Sequence, residues 1–175
     1  MMKKINLAKI AICAVFAATL AAWCTGCVGY RLGTTLPPGI KTVYVPTFVN
    51  GTGEPQVDTV ATRSAIQELQ RDGTLSLSDA TNADAHLYVT VTGYKLDPLR
   101  YDRNRSKTTR EYRLLLTAEV EFKRRDPEEV LVKKKVRGDT TFDLVGSMAA
   151  AKIEALPDAA DDLAHKIVEL LVEYW

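Results

Sequence analysis

Three stretches of the chain alternate apolar and polar residues with a period of two. In the first, Leu87, Val89 and Val91 face one way and Tyr88, Thr90 and Thr92 the other. The second is the longest. Tyr112, Leu114, Leu116, Ala118, Val120 and Phe122 share one face, and Arg113, Thr117, Glu119, Glu121 and Lys123 share the opposite one. The third sets Val130, Val132 and Val136 against Lys133, Lys135 and Arg137. Such alternation predicts half-buried strands, apolar towards a layer of helices and polar outside. Asp126-Pro127-Glu128 joins the last two as a tight connection. The stretch from Asp97 to Thr109 is too polar to bury and reads as a basic loop or a projecting strand end.

Upstream, Thr42 to Phe48 mixes β-branched and aromatic residues, a strand with Val43 and Val45 on one face. Asn50-Gly51-Thr52-Gly53-Glu54-Pro55 is a turn cluster. From Gln56 to Arg71, residues Val57, Val60, Ala61, Ala65 and Leu69 fall at helical spacing, and Asp72-Gly73 supplies the stop. Strand, short loop and helix read as the start of a right-handed βαβ crossover. Near the C-terminus, Met148 to Leu156 is an alanine-rich helix that Pro157 breaks or kinks. Beyond it, Ala160, Leu163, Ala164, Ile167, Leu170, Leu171 and Tyr174 form one apolar stripe. Asp158, Asp161 and Asp162 then fall in that helix's first turn, where they complement its dipole. The expected fold is α+β: a two-layer sandwich, β-α-β-β-β-α, with a mixed four-stranded sheet and two helices packed on one face.

The N-terminal segment reads differently. Lys3, Lys4 and Lys9 accompany an apolar run from Ile5 to Trp23 without an acidic residue, followed by Thr25-Gly26-Cys27. A basic head, an apolar stretch and a small-residue cleavage point describe a secretory signal peptide. Cys27 directly behind Gly26 adds the lipoprotein reading, with cleavage before Cys27 and acylation of its thiol and amine. A plain secreted protein or an uncleaved membrane anchor are the alternatives, and Cys24 stands where a leucine is usual. Val28 after Cys27, in place of an aspartate, fits onward sorting to the outer membrane. The expected organisation is therefore a lipoprotein signal peptide over 1–26, a lipidated tether over 27–41 and a single α/β domain over 42–175. Apart from the covalent lipid on Cys27, no cofactor is expected.

Cleavage leaves 149 residues, enough for one domain with a real core, and a single cysteine, which excludes an internal disulfide. The mature chain carries a net charge of −2, unevenly spread. Residues 95–137 hold 14 Lys/Arg against 8 Asp/Glu, whereas residues 138–175 hold 2 against 8. A nucleic-acid binder would be basic as a whole, so none is expected as partner. The pattern instead offers a local cationic surface to a phosphorylated one.

Catalytic chemistry is not visible. His86 starts a strand with no nucleophile pattern near it, and His165 lies on the C-terminal helix. No Cys/His cluster has metal spacing. Asn50-Gly51-Thr52-Gly53 lacks the lysine of a phosphate-binding loop. Glu119 and Glu121 read as solvated surface before they read as an acid/base pair. What stands out is basic: Arg100, Arg103, Arg105, Lys107 and Arg110, then Lys123-Arg124-Arg125, then Lys133-Lys134-Lys135 with Arg137. The strand lysines suit solubility and protection of a sheet edge. The loop arginines suit phosphate, which guanidinium forks bind bidentately.

These segments resemble the LptE family of lipopolysaccharide-assembly lipoproteins. Gly26-Cys27-Val28-Gly29-Tyr30-Arg31-Leu32 is similar to its lipidated start. Val43 to Val45, then Arg63-Ser64-Ala65-Ile66-Gln67-Glu68-Leu69, is similar to its first strand and helix. Arg103-Asn104 before Glu111-Tyr112 resembles its central hairpin, and Phe142-Asp143 with Met148-Ala149-Ala150-Ala151-Lys152 its approach to the last helix. Pro157 and a longer basic loop depart from the family. The resemblance implies a non-catalytic, lipid-anchored protein on the periplasmic side of the outer membrane. It would plug and help assemble an LptD-type β-barrel and bind lipopolysaccharide (LPS). Carried over by position, the LPS-binding residues are Arg103, or Arg105 if the register is counted back from Glu111, and Lys152. An alternative is a periplasmic lipoprotein that activates a peptidoglycan synthase, since such proteins share the strand-Asn-Gly-Thr-Gly-helix opening. A structural lipoprotein without LPS contact is a third reading.

Overall fold

The computed structural model describes residues 39–101 and 109–173. In chain order these form β1 (Thr42–Tyr44), β2 (Val49–Asn50), α1 (Val57–Asp72), β3 (Ser76–Leu77), β4 (Ala85–Tyr101), β5 (Thr109–Arg124), β6 (Glu129–Asp143) and α2 (Met148–Glu173). The strands make one sheet in the order β3-β1-β4-β5-β6, with β2 also paired to β4. β4, β5 and β6 are an antiparallel meander, while β1, β2 and β3 join in parallel. The α+β class and the order of the main elements are as the alternation implies. The strand count is six among the described residues, not four. The first predicted strand, Thr42 to Phe48, stops at Tyr44, short of Pro46, which has no N–H to give to a ladder, and a separate two-residue strand, β2, follows beyond it. A short edge strand, β3, follows α1 and lies parallel to β1.

The core lies between the sheet and the two helices. Leu69 of α1, Leu87 of β4, Leu114, Leu116 and Phe122 of β5, and Leu163, Ile167 and Leu171 of α2 are all fully buried. Each such side chain contributes roughly 1.5–3 kcal/mol by leaving water. The long alternation of β5 survives intact, but its neighbours break phase, β4 three times and β6 once. A register shift between Val91 and Gly93 moves Tyr94 and Leu96 onto the face opposite Leu116 and Leu114. A second shift, at Phe122/Lys123, sets Val132 against Phe122 and Val130 against Lys123. Val130 is therefore half exposed, not grouped with Val132 as the sequence suggested.

Pro157 does not end the last helix, which runs through it as one 26-residue element. Pro157 removes the bond to the carbonyl of Ile153. Both residues are exposed, so water can take that carbonyl. Asp158, Asp161 and Asp162 consequently lie in mid-helix, not in a first turn, and the dipole argument for them fails. Two of them serve tertiary contacts. Asp161 accepts the hydroxyl of the buried Ser64 at 2.5 Å, and Asp162 accepts the Asp139 N–H at 2.8 Å and pairs with Lys166 at 2.6 Å.

Asp84 ties the start of β1 to the start of β4. Its Oδ2 accepts the N–H groups of Lys41 and Thr42, each at 3.0 Å, and the Thr42 hydroxyl at 2.8 Å. The Lys41 N–H, followed by the Thr42 hydroxyl, holds this carboxyl below the usual carboxylate range. A depressed value means the stabilisation is complete above the unfolded value of about 4 and is lost as pH falls through the folded one. Asp84→Ala should lower stability by about 2 kcal/mol at neutral pH. It should also shrink the loss of stability on acidification below about pH 4, measured by urea unfolding across that range.

Candidate functional site

β4 and β5 run on towards Tyr101 and Thr109, and along them Tyr94 and Leu96 of β4, with Phe142 of β6, pack partly buried against the main core. Tyr112 of β5 stacks on Phe142 of β6, ring centroids 5.9 Å apart. Further in, the register shift at Gly93 points Tyr94 towards α2. Across from it, Lys152 sits one turn into α2, whose start is capped by the Ser147 hydroxyl. Its ammonium lies 5.1 Å from the centre of the Tyr94 ring, a cation–π distance.

The third member comes from the loop before α1. Asn50 organises that loop: its Oδ1 accepts the Thr52 N–H and hydroxyl, and its Nδ2 donates to the Glu54 carbonyl at 2.7 Å. Gln56 then takes a left-handed conformation with φ 66°, which turns the chain into α1. This fixed loop presents the Glu54 carboxylate to Lys152, whose Nζ donates to Oε1 at 2.6 Å and Oε2 at 2.7 Å. Burial, reinforced by the Glu54 charge, pushes the Tyr94 hydroxyl up to about 12, so it stays protonated at physiological pH. Beside the three groups lies a pocket of about 190 Å³ lined by Pro55, Ile153 and Leu156 among others. Ile153 is two-thirds exposed. A partly exposed Lys152–Glu54 ion pair, a phenol and an apolar wall thus line one pocket.

Residues 40–171 match the sequence model of LptE, described as lipopolysaccharide-assembly. The chain belongs to the LptE family. No curated relative matches the sequence. Solved structures of similar fold include a Xanthomonas campestris protein, with a TM-score of 0.55 and 10% identity over 80% of this chain and 91% of that one. Lipoprotein B from Nitrosomonas europaea gives 0.52 at 14% identity, covering 84% of this chain and 92% of its own. A Chlamydia trachomatis protein gives 0.52 at 8% identity, covering 74% and 94%. At such identities these likenesses carry the fold alone. The LptE family is not cofactor-dependent. Among the described residues no group of three or more His, Cys, Asp or Glu side chains could hold a metal ion.

Of the residues that the LptE resemblance singled out, Lys152 is described, and its ammonium is engaged by Glu54. Arg103, Arg105 and Cys27 lie outside the described residues. The strand from Tyr94 to Tyr101 spans roughly 23 Å at 3.3 Å per residue. The partners of Lys152 are thus at the base of the hairpin, seven residues before the strand end at Tyr101. Glu54 is the member that sequence reasoning missed, together with the contact of Tyr94, a tyrosine beside the basic loop, with Lys152.

The basic strand β6 looks different. Lys133 reaches Glu121 at 3.5 Å and Lys135 reaches Glu119 at 3.5 Å, each across to β5. A pocket of about 340 Å³ between β6 and α2 includes Lys135, Arg137 and Lys166. Lys166 is already paired with Asp162. Neither histidine has a nucleophile partner. His86 contacts the Tyr88 hydroxyl and the Ala80 carbonyl, and His165 meets Glu68 at 2.9 Å across the two helices.

Proposed function

We propose that this LptE-family protein is a non-catalytic, lipid-anchored component of LPS assembly at the outer membrane. In this reading the acylated Cys27 holds it on the periplasmic side, the tether over 27–41 spaces the domain from the bilayer, and an LptD-type barrel is its partner. Arg103, Arg105 and Lys152 are its LPS contacts. The family match over residues 40–171 carries the reading. The amphiphilic site around Lys152 supports it, since lipid A presents phosphates beside acyl chains.

Affinity purification from detergent-solubilised membranes tests the partner. A complex with an LptD-type barrel, stable through washing, is the expected result. Crosslinkers placed along residues 97–110 and 133–137 should capture the same barrel. Capture of peptidoglycan synthases alone would overturn the reading in favour of the synthase-activator role. In the same preparation, intact mass should show cleavage before Cys27 and acyl chains on that residue.

A further inference from the structure

We propose that Glu54 is the specificity residue of the Lys152 site. It is an internal counter-ion that any anionic ligand must displace, so the site favours a phosphate over a singly charged headgroup. This rests on the reading of Lys152 as an LPS contact. Glu54 engages Lys152 through both carboxylate oxygens, at 2.6 and 2.7 Å, which uses two of the three ammonium donors. The Tyr94 ring covers another side of the ammonium. The pair is neutral as it stands, and an anion entering beside it meets the Glu54 charge.

Displacement is nonetheless feasible. The side chains of Lys152 and Glu54 are 24% and 35% exposed, so the pair is reached from solvent and is screened by it. The loop backbone is fixed through Asn50, so only the Glu54 side chain has to swing away. A phosphate monoester carries about −1.5 to −2 charges at neutral pH and three acceptor oxygens, more than the carboxylate it would replace. A singly charged carboxylate or phosphodiester gains little by the exchange. The apolar wall of Pro55, Ile153 and Leu156 then accounts for preference for a lipid-borne phosphate over a free one.

The test titrates the full chain with bisphosphorylated lipid A in detergent micelles, with the same lipid dephosphorylated, and with inorganic phosphate. Glu54→Gln keeps the shape and removes the charge. It should bind phosphorylated lipid A about fivefold more tightly than wild type. It should also bind the dephosphorylated lipid no better than wild type does. Lys152→Gln should bind phosphorylated lipid A more weakly, and the double variant should bind no more tightly than Lys152→Gln alone. Glu54→Asp, too short to hold both contacts, should fall between wild type and Glu54→Gln and serves if Glu54→Gln does not fold. If Lys152→Gln weakens binding but Glu54→Gln does not strengthen it, the counter-ion role is wrong while the LPS contact stands. If Lys152→Gln binds like wild type, the LPS contact fails and the counter-ion role with it. Inorganic phosphate binding as tightly as lipid A would overturn the lipid preference.

Discussion

Gly138→Ala should lower the melting temperature of the domain by about 10 °C, as followed by circular dichroism. Gly138 lies on the core face of β6, paired with Leu116 of β5, under the point where α2 crosses the sheet. A Cβ built there falls on the backbone nitrogen and Cα of Leu163, closer than real atoms approach. The obstruction is helix backbone, not the flexible end of a side chain. The helix cannot lift away without cost, because Leu163 is fully buried and the next residues are fastened. Asp162 accepts the Asp139 N–H at 2.8 Å, and Lys166 closes on Asp162 at 2.6 Å. Overpacking of this kind costs about 3 kcal/mol. For a domain of this size each kcal/mol is worth about 2–4 °C. Leu163→Ala should not rescue Gly138→Ala, since it removes no backbone atom and adds a cavity. Gly146→Ala makes the contrast: a methyl there meets nothing within 4 Å, and only its φ of 81° is unfavourable, so about 1 kcal/mol is expected. A Gly138→Ala melting point within 2 °C of wild type would mean that the helix is not seated on this glycine as described.

Legibility in the sequence followed the range of the forces involved. Alternation along Tyr112 to Phe122 reports one strand against one core, a local relation, and it holds along the whole run. The phase breaks at Gly93 and Lys123 depend on how β4 and β6 register against β5, which no single strand encodes. Of the two outcomes open at Pro157, a break or a kink, the break does not occur; a proline rule looks only at the lost N–H. Whether a helix ends there depends on whether the freed carbonyl can reach water, and that depends on which face is packed. Asp161 and Asp162 misled in the same way. Their partners, Ser64 and Asp139, come from other elements, so a local dipole argument was the only one the sequence offered.

The site divides similarly. Lys152 was reached through family resemblance, and the turn cluster from Asn50 to Pro55 was legible as a turn. That this turn brings Glu54 to Lys152 was not legible, because the two are 98 residues apart in the chain. Tyr94 would have been assigned to the outer face by simple continuation of the alternation from Val91; the register shift brings it round to Lys152. The strand lysines were read as solubility and edge protection, and their cross-strand partners Glu119 and Glu121 agree with that.

Neutralising Arg103, Arg105 and Lys152 together, each to Gln, should weaken LPS binding by at least about tenfold while leaving the fold intact. A charge-assisted bond to phosphate is worth about 1.5–3 kcal/mol, and one lost contact of that size already gives tenfold. Contacts to one ligand do not add independently, so the three losses are not simply multiplied. Raised salt should weaken the wild-type interaction in the same direction, because the contacts are ionic and near the surface. The control is Lys133 and Lys135. Both are exposed cations of the same type, with side chains 68% and 53% accessible, but each already faces a glutamate on β5. Changing both to Gln removes two positive charges and leaves Glu119 and Glu121 behind. A purely long-range attraction between the basic surface of residues 95–137 and LPS would respond to the control nearly as strongly as to the triple variant. A local site would not, and its affinity should move by less than about twofold in the control. The comparison, run by titration at low ionic strength with circular dichroism on each variant, separates the two. If the folded triple variant binds like wild type, or the control loses as much, LPS recognition does not reside in these three residues.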